Sequence, residues 1–474
     1  MRVTLSATIA LVLASAHAVA AQARPQLSEE VRRYVAVDAP VVALTNVRVV
    51  DGTGAPPAEG QTIIIENGRI AAVGPAARVR PPAGAHTMDL SGHTVIPGLV
   101  GMHNHTFYTT TARSVQLSYS APRLYLASGV TTIRTTGAAS PYAELNLKRA
   151  IQQGREPGPR MFVTGPYLNG PSSSTHMTQV NAPEDARRVV AYWAEEGASW
   201  FKAYTQISRT ELKAAIEEAH RRGLKVTGHL CSVSFREAVA LGIDNLEHGL
   251  FTNSDWDPSK QPDVCPAGMR GTLANVDVNS PEVQQTIREM VENGVAMTST
   301  LAVYELAVPN RPPLEQRVLD AMSPETREEY LRTREQIARN AATSVMPQVF
   351  RKAQEFEVAF VRAGGLLGAG VDPTGIGGAL PGFGDQRNYE LLIEAGFTPV
   401  EAIQIMSLNG AKILGIDDEL GSIAQGKRAD LVVIRGNPVA TPAEIRNVTI
   451  VFKDGIGYDS AKLIEAVKGQ VGVR

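Results

Sequence analysis

An excess of charge of either sign is missing from this chain, because 46 basic residues nearly balance 48 acidic ones over 474 positions. That balance leaves no electrostatic footprint for nucleic acid or for an anionic membrane surface. Cysteine is almost absent as well. Cys231 and Cys265 are the only two, so the choice is between one disulfide, which an oxidising compartment would permit, and two buried thiols. Long apolar runs are lacking too. The longest, near the start, falls well short of the ~20 residues a membrane span needs. No cysteine lies near a cleavage point in residues 1–23, which argues against a lipid anchor.

Residues 1–23 nevertheless have a pattern. Arg2 supplies a positive start, positions 7–16 are mostly apolar, and Ala18-Val-Ala20 and Ala21-Gln-Ala23 are small-x-small cleavage candidates. This is the signature of a secretory signal. A soluble exported protein is expected, secreted or periplasmic, with no membrane contact after cleavage.

Hydrophobic residues make up 43% of the chain, enough for a large core, and its length allows more than one domain. From Val41 the text reads as short strands. Ala43-Leu-Thr-Asn-Val-Arg-Val-Val50 and Gln61-Thr-Ile-Ile-Ile-Glu66 alternate, and Asn67-Gly68 is a hairpin turn signal. The same style returns in Gly426-Lys-Arg-Ala-Asp-Leu-Val-Val-Ile434 and Val448-Thr-Ile-Val-Phe452. Residues 24–97 and 416–474 are therefore expected to build one small β domain, a β-sandwich, around a central insertion.

That insertion, 98–415, alternates short apolar runs with amphipathic stretches such as 209–222. Candidate strands lie at 99–105, 130–135, 160–164, 200–204, 225–229, 245–248, 295–300 and 366–372. Eight β-then-α units make an α/β (β/α)8 TIM-like barrel. Two connections are long: 251–281, rich in Asp, Pro and Gly, and 302–347, with Pro309, Pro312 and Pro313 before a charged helical run. Each is either a wall of the substrate site or a plain surface excursion.

In such barrels the chemistry sits at the carboxyl ends of the strands. The first strand ends in Val95-Ile-Pro-Gly-Leu-Val-Gly-Met-His-Asn-His105, and residues i and i+2 of a strand share a face. His103 and His105 can then reach one point, which suits a divalent transition metal, most often zinc. Lys202 lies near the end of the fourth strand. His229 ends the fifth, His248 the sixth and Asp372 the eighth. Four of the nine histidines thus fall at strand ends.

At these residues the sequence resembles the amidohydrolase superfamily, in its imidazolonepropionase-like and Xaa-Pro dipeptidase-like branch. The resemblance rests on the split β domain, Pro97-Gly-Leu-Val-Gly-Met-His-Asn-His, Phe201-Lys-Ala-Tyr, Gly228-His229, Glu247-His-Gly249, Gly370-Val-Asp372 and Leu420-Gly-Ser-Ile-Ala-Gln-Gly-Lys-Arg-Ala-Asp-Leu-Val-Val433. It implies two divalent metal ions, usually zinc. His103, His105 and Asp372 would hold one, His229 and His248 the other, and a carboxylated Lys202 would bridge them. Lys202 as an ordinary ion pair or a protonated substrate contact is the alternative. Two positions depart from the common spelling: Gly101, where an Asp is frequent, and Thr135, where an acidic residue is common.

A metal-activated hydroxide would attack an amide carbonyl while Asp372 carries the proton to the leaving nitrogen. Tyr204 shares a face with Lys202 and could donate to the oxyanion; His176 could do the same. Arg134 could meet a substrate carboxylate through its planar fork or make a structural salt bridge. The expected substrate is a dipeptide or N-acyl amino acid. The alternatives are a one-metal cyclic amide hydrolase of imidazolonepropionase type and a catalytically silent binding protein. No nucleic acid partner is expected, and a homo-oligomer is compatible with the sequence.

Overall fold

The computed structural model describes residues 25–171 and 177–473. The segment 1–23 and His176 lie outside them. Eight parallel strands form a closed ring: β1 (Leu99–Gly101), β2 (Val130–Thr135), β3 (Arg160–Asn169), β4 (Trp200–Ala203), β5 (Lys225–Gly228), β6 (Asn245–Glu247), β7 (Ala296–Ser299) and β8 (Leu367–Ala369). Each pairs with its successor, and β8 returns to β1 through Ala369 and Gly101. This is the expected (β/α)8 barrel.

The helices between strands form for local reasons. The one at Arg209–Arg221 starts in a capping box, with Ser208 Oγ accepting from the Glu211 N–H and Glu211 accepting from the Ser208 N–H. It buries Leu212, Ala215, Ile216 and Ala219, one face at helical spacing.

The two chain ends meet in a second, nine-stranded sheet. Strand Leu431–Arg435 runs antiparallel to His93–Pro97, with Val433 opposite Val95. Strand Val41–Val49 pairs with Ala58–Glu66 along one edge, and with His86–Asp89 and His93–Pro97 along the other. Leu44, Ile63, Val95, Leu431 and Phe452 belong to a core separate from the barrel's. Arg160, at the start of β3, ties the two bodies together through Asp430 at 2.9 Å and Asp454 at 2.6 Å.

After β6 the chain makes a one-turn 3-10 helix, Gly249–Thr252, and later a short helix, Met269–Ala274. A disulfide joins Cys231 to Cys265, with Cα atoms 4.9 Å apart. It ties this excursion to the residues just after β5. The longer connection after β7 is helical at Leu301–Glu305, Gln316–Ala321 and Pro324–Arg339. Among the described residues no helix is long and apolar enough to cross a membrane.

Candidate active site

Strand β1 ends at Gly101, earlier than the sequence pattern suggests, and the chain bends at Met102 and His103. Met102 N–H donates to Ala369 O at 2.8 Å and Asn104 N–H donates to Arg134 O at 3.1 Å. These bonds go to opposite neighbours, so the regular strand pattern is broken here, yet His103 and His105 both turn to Asp372 at the barrel mouth. Asn104 points the other way. Its amide donates to Asp385 at 3.0 Å and its oxygen accepts from Val371 N–H at 3.3 Å. A Cβ at Gly101 would run into the Asn104 side chain. That explains why Gly101 replaces the commoner Asp: the space is taken by a cross-link between β1 and the end of β8.

The mouth brings six side chains together. His103 Nε2 lies 3.6 Å, His105 Nε2 3.4 Å and His248 Nε2 3.9 Å from the Asp372 carboxylate. Lys202 Nζ is 3.1 Å from His103 Nε2. The His229 ring centre is 4.4 Å from that of His248. Ligand atoms of His103, His105 and Asp372 all fall within 4.8 Å of one another. All six side chains are buried or nearly so.

The far nitrogens of three rings are engaged. His103 Nδ1 meets Glu247 at 2.7 Å, His105 Nδ1 meets Gly137 O at 3.1 Å, and His248 Nδ1 meets Thr300 Oγ1 at 2.7 Å. A carboxylate or a carbonyl can only accept, so His103 and His105 carry the proton on Nδ1 and turn a lone pair inward at Nε2. His248 Nε2 is a buried nitrogen without a hydrogen-bond partner. Burial pushes all four imidazoles down, His229 to about 3 with the Lys202 charge assisting. Neutral imidazoles, an orphaned inward nitrogen and a carboxylate form a donor set that fits divalent cations.

Asp372 remains anionic. Burial acts to raise it, but the neighbouring Lys202 charge acts against burial, and the carboxyl titrates well below the usual carboxylate range. Burial lowers the Lys202 amine to about 8, against the opposing charges of Asp372 and Glu247. His248 and Asp372 also sit in the left-handed backbone region, at φ 68° and 48°. Strain of this kind concentrates at functional sites.

Below the cluster lies a polar floor. Glu247 Oε1 accepts from Arg134 Nη2, from Thr227 Oγ1 and, at 2.9 Å, from Asn245 Nδ2. Register sets Lys202 beside Thr227 and Glu247 beside Thr298. Arg134 is 0% exposed, and its guanidinium lies 4.5 Å from the centre of the Trp200 ring. The reading of Arg134 as a substrate contact is therefore corrected: it is a buried counter-ion of Glu247, out of reach of the mouth. Beside Thr135, the other departure, the buried carboxyl of Glu144 arrives from the helix Pro141–Gln152 and is pushed up to about 8 by burial.

Tyr204 lies at the mouth, its ring 4.6 Å from His229. His176 is outside the described residues. Three residues were missed by sequence reasoning. Glu247 had a usable signal, since it alternates with Asn245 on the inward face of β6. Tyr167 comes within 3.4 Å of His105 Nε2 because β3 runs on to Asn169, beyond the apolar pattern. Tyr304 stands edge-on to His248 at 5.4 Å and is delivered by the excursion after β7, which has no strand pattern to mark it.

The amidohydrolase family model matches residues 94–327 and 382–457. The chain belongs to the amidohydrolase family. Among solved structures, this amidohydrolase is similar to a provisionally assigned prolidase from Bifidobacterium longum, at 26% identity and TM-score 0.64 over 90% of this chain and 98% of that one. It is also similar in fold to a Xaa-Pro dipeptidase with bound methionine in the active site, at 23% identity and TM-score 0.66 over 88% and 100%. Adenine deaminase 3 of Rhizobium meliloti (strain 1021) is 47% identical over 53 residues, 11% of this chain. The chain spans only 9% of the length of that curated relative.

Proposed function

We propose that this protein is a metal-dependent hydrolase of carbon–nitrogen amide bonds, acting on dipeptides or N-acyl amino acids. The observation that carries the proposal is the convergence of His103, His105, Lys202, His229, His248 and Asp372 at the carboxyl end of one barrel. The names borne by the Bifidobacterium and Xaa-Pro dipeptidase structures support the choice of a small peptide-like substrate.

His103, His105 and Asp372 would hold one divalent ion, zinc by donor type, and His229 and His248 a second. Lys202 would bridge them as a carbamate. An ammonium cannot ligate a cation, whereas a buried amine lowered to about 8 has an appreciable free-base fraction for reaction with carbon dioxide. When bound, such ions polarise the amide carbonyl and acidify a water. The chain's own groups do the rest. Asp372, anionic and central, takes the proton of the attacking water and passes it to the leaving nitrogen, because an amide anion is a poor leaving group. Tyr204 donates its phenolic hydrogen to the developing oxyanion.

We also propose that the protein is exported. The Cys231–Cys265 disulfide supports that reading, since such bonds persist in oxidising compartments. Among the described residues the tight grouping is confined to His103, His105 and Asp372, which favours a second reading, a one-ion hydrolase of cyclic amides. One experiment separates the two: metal content per chain, measured beside a turnover screen of the mature protein against dipeptides, N-acyl amino acids and cyclic amides. Two ions with dipeptide or N-acyl turnover support the proposal. One ion with cyclic amide turnover selects the alternative, and no metal with no turnover overturns both.

A further inference from the structure

The connection after β7 does more than deliver Tyr304. With the segment after Asp372 and the helix Phe383–Ala395 it encloses a cavity of about 150 Å³, room for a benzene-sized body. The helix Leu301–Glu305 stands between that cavity and the mouth. Tyr304 meets His248 with ring centres 5.4 Å apart, while Ala302 and Glu305 line the cavity. Pro312, Pro313, Leu314, Val318 and Phe383 supply an apolar lining. Gly378 leaves room for the Tyr330 ring, since a Cβ there would come within 2.6 Å of Cε2.

The charges around the cavity do not cancel. Four arginines meet four glutamates. Arg387 holds Glu305 through Nε at 2.9 Å and Nη2 at 2.7 Å. Arg311 reaches Glu305 at 2.7 Å and Glu394 at 2.9 and 2.6 Å. Arg317 and Arg446 share Glu315, at 2.9 and 3.0 Å, and Arg387 and Arg446 both reach Glu390. Arg334, from the helix Pro324–Arg339, is a fifth guanidinium, with no carboxylate partner among the described residues. Its Nη1 donates to Leu306 O and, at 3.1 Å, to Val308 O. Its Nε and Nη2 hydrogens find no acceptor among them. Tyr330 lies four residues earlier, on the same helix face. It is 3% exposed, yet its hydroxyl has no hydrogen-bond partner among the described residues. Both residues line the cavity.

Such a lining selects its occupant. An uncompensated guanidinium beside a free phenol calls for an anion, and a carboxylate matches the guanidinium fork with charge-assisted bonds. The apolar lining calls for a compact apolar body. An ammonium group has no place, because all four glutamates are already engaged and the surplus charge is positive. We infer that this cavity binds a monocarboxylate with a compact apolar body and no ammonium group, a short carboxylic acid or an N-acyl amino acid, with Arg334 as its counter-ion. Binding here is independent of the hydrolysis proposed above, because none of the proposed metal ligands lines the cavity.

The test is calorimetric titration of the full chain, with and without a chelator, using isovalerate, phenylacetate, N-acetylvaline, valine and phenylacetamide. The acids should bind with Kd of about 1 mM or tighter, and valine and phenylacetamide at least about tenfold more weakly. Tighter binding of N-acetylvaline than of isovalerate assigns the site to N-acyl amino acids, and the reverse order assigns it to plain acids. Arg334→Met should weaken the acids by about tenfold or more, and Arg334→Lys should restore part of the loss. Arg334 also holds two carbonyls, so a second variant, Val318→Phe, keeps the guanidinium and fills the cavity; it should block phenylacetate with the unfolding temperature unchanged. Three results would overturn the inference: no saturable binding up to about 10 mM acid, binding that vanishes with the chelator and so belongs to the mouth, or equal binding by the wild type, R334M and V318F.

Discussion

Replacing Glu247 by Gln keeps the shape of the side chain and removes its charge. Four donors converge on that carboxylate. Arg134, Thr227 and Asn245 meet Oε1, whereas His103 alone meets Oε2, at 2.7 Å. The Gln amide must therefore turn its oxygen to the crowded side and its NH2 to His103. His103 would then accept at Nδ1 and carry its proton on Nε2, the nitrogen that faces Asp372 and Lys202. Two losses follow. Arg134 remains buried without a counter-ion, which costs about 3–5 kcal/mol of stability. The inward lone pair of His103 disappears, which should weaken metal binding by roughly 10–100-fold. Denaturant unfolding of the metal-free protein reads the first loss, and competition for zinc with a chelator reads the second. The double variant E247Q with R134M removes both charges, so it should recover stability without recovering zinc affinity. If E247Q unfolded with the wild type and bound zinc equally well, the orienting role of Glu247 would be wrong.

Three further outcomes are expected. His229→Asn should abolish amide hydrolysis and remove about one metal equivalent while the protein stays soluble, as read by elemental analysis; full activity would remove His229 from the ligand set. Asp454→Asn should test the joint between barrel and sheet. Burial acts to raise Asp454, but Lys453, Arg160 and Arg428 hold it below the ordinary carboxylate range. Its contribution is therefore complete above the unfolded pKa of ~3.9 and is lost as pH falls through the depressed folded value. The variant should be less stable by about 1 kcal/mol at pH 7, with a deficit that shrinks as the pH drops below about 3.9 in denaturant titrations. Replacing Cys231 and Cys265 together by Ser opens a closure spanning 34 residues, worth at most about 3–4 kcal/mol by chain entropy. Limited proteolysis should then cut the excursion at Lys260 or Arg270, sites spared in the oxidised protein.

The barrel was legible because β1, β4, β5, β6 and β8 each lead into a candidate ligand. Apolar runs leading to His103, His229, His248 and Asp372 mark both the repeat and the mouth, and the amphipathic face at Leu212, Ala215, Ile216 and Ala219 marks a helix between two of them. The return of the chain in Leu431–Arg435 beside His93–Pro97 was legible for the same reason, as an alternating run near each end. The walls were not. Tyr304 and Phe251 sit on connections whose local text carries no period, and only tertiary packing brings them to the rim. Strand lengths misled in both directions. β1 stops at Gly101 and the chain bends before it reaches His105, whereas β3 runs on to carry Tyr167. Arg134 shows a different limit. From sequence, an arginine at a strand end can serve a ligand or a buried acid. What decides is Glu247, which lies 113 residues away.

The left-handed backbone at His248 and Asp372 narrows which replacements either position tolerates. Alanine there would lose two things at once, a donor atom and a conformation that its Cβ resists. Asparagine adopts that conformation readily and so changes the donor alone. Variation at these two sites is thereby confined to a small alphabet of short polar residues and glycine, whatever the demands of chemistry.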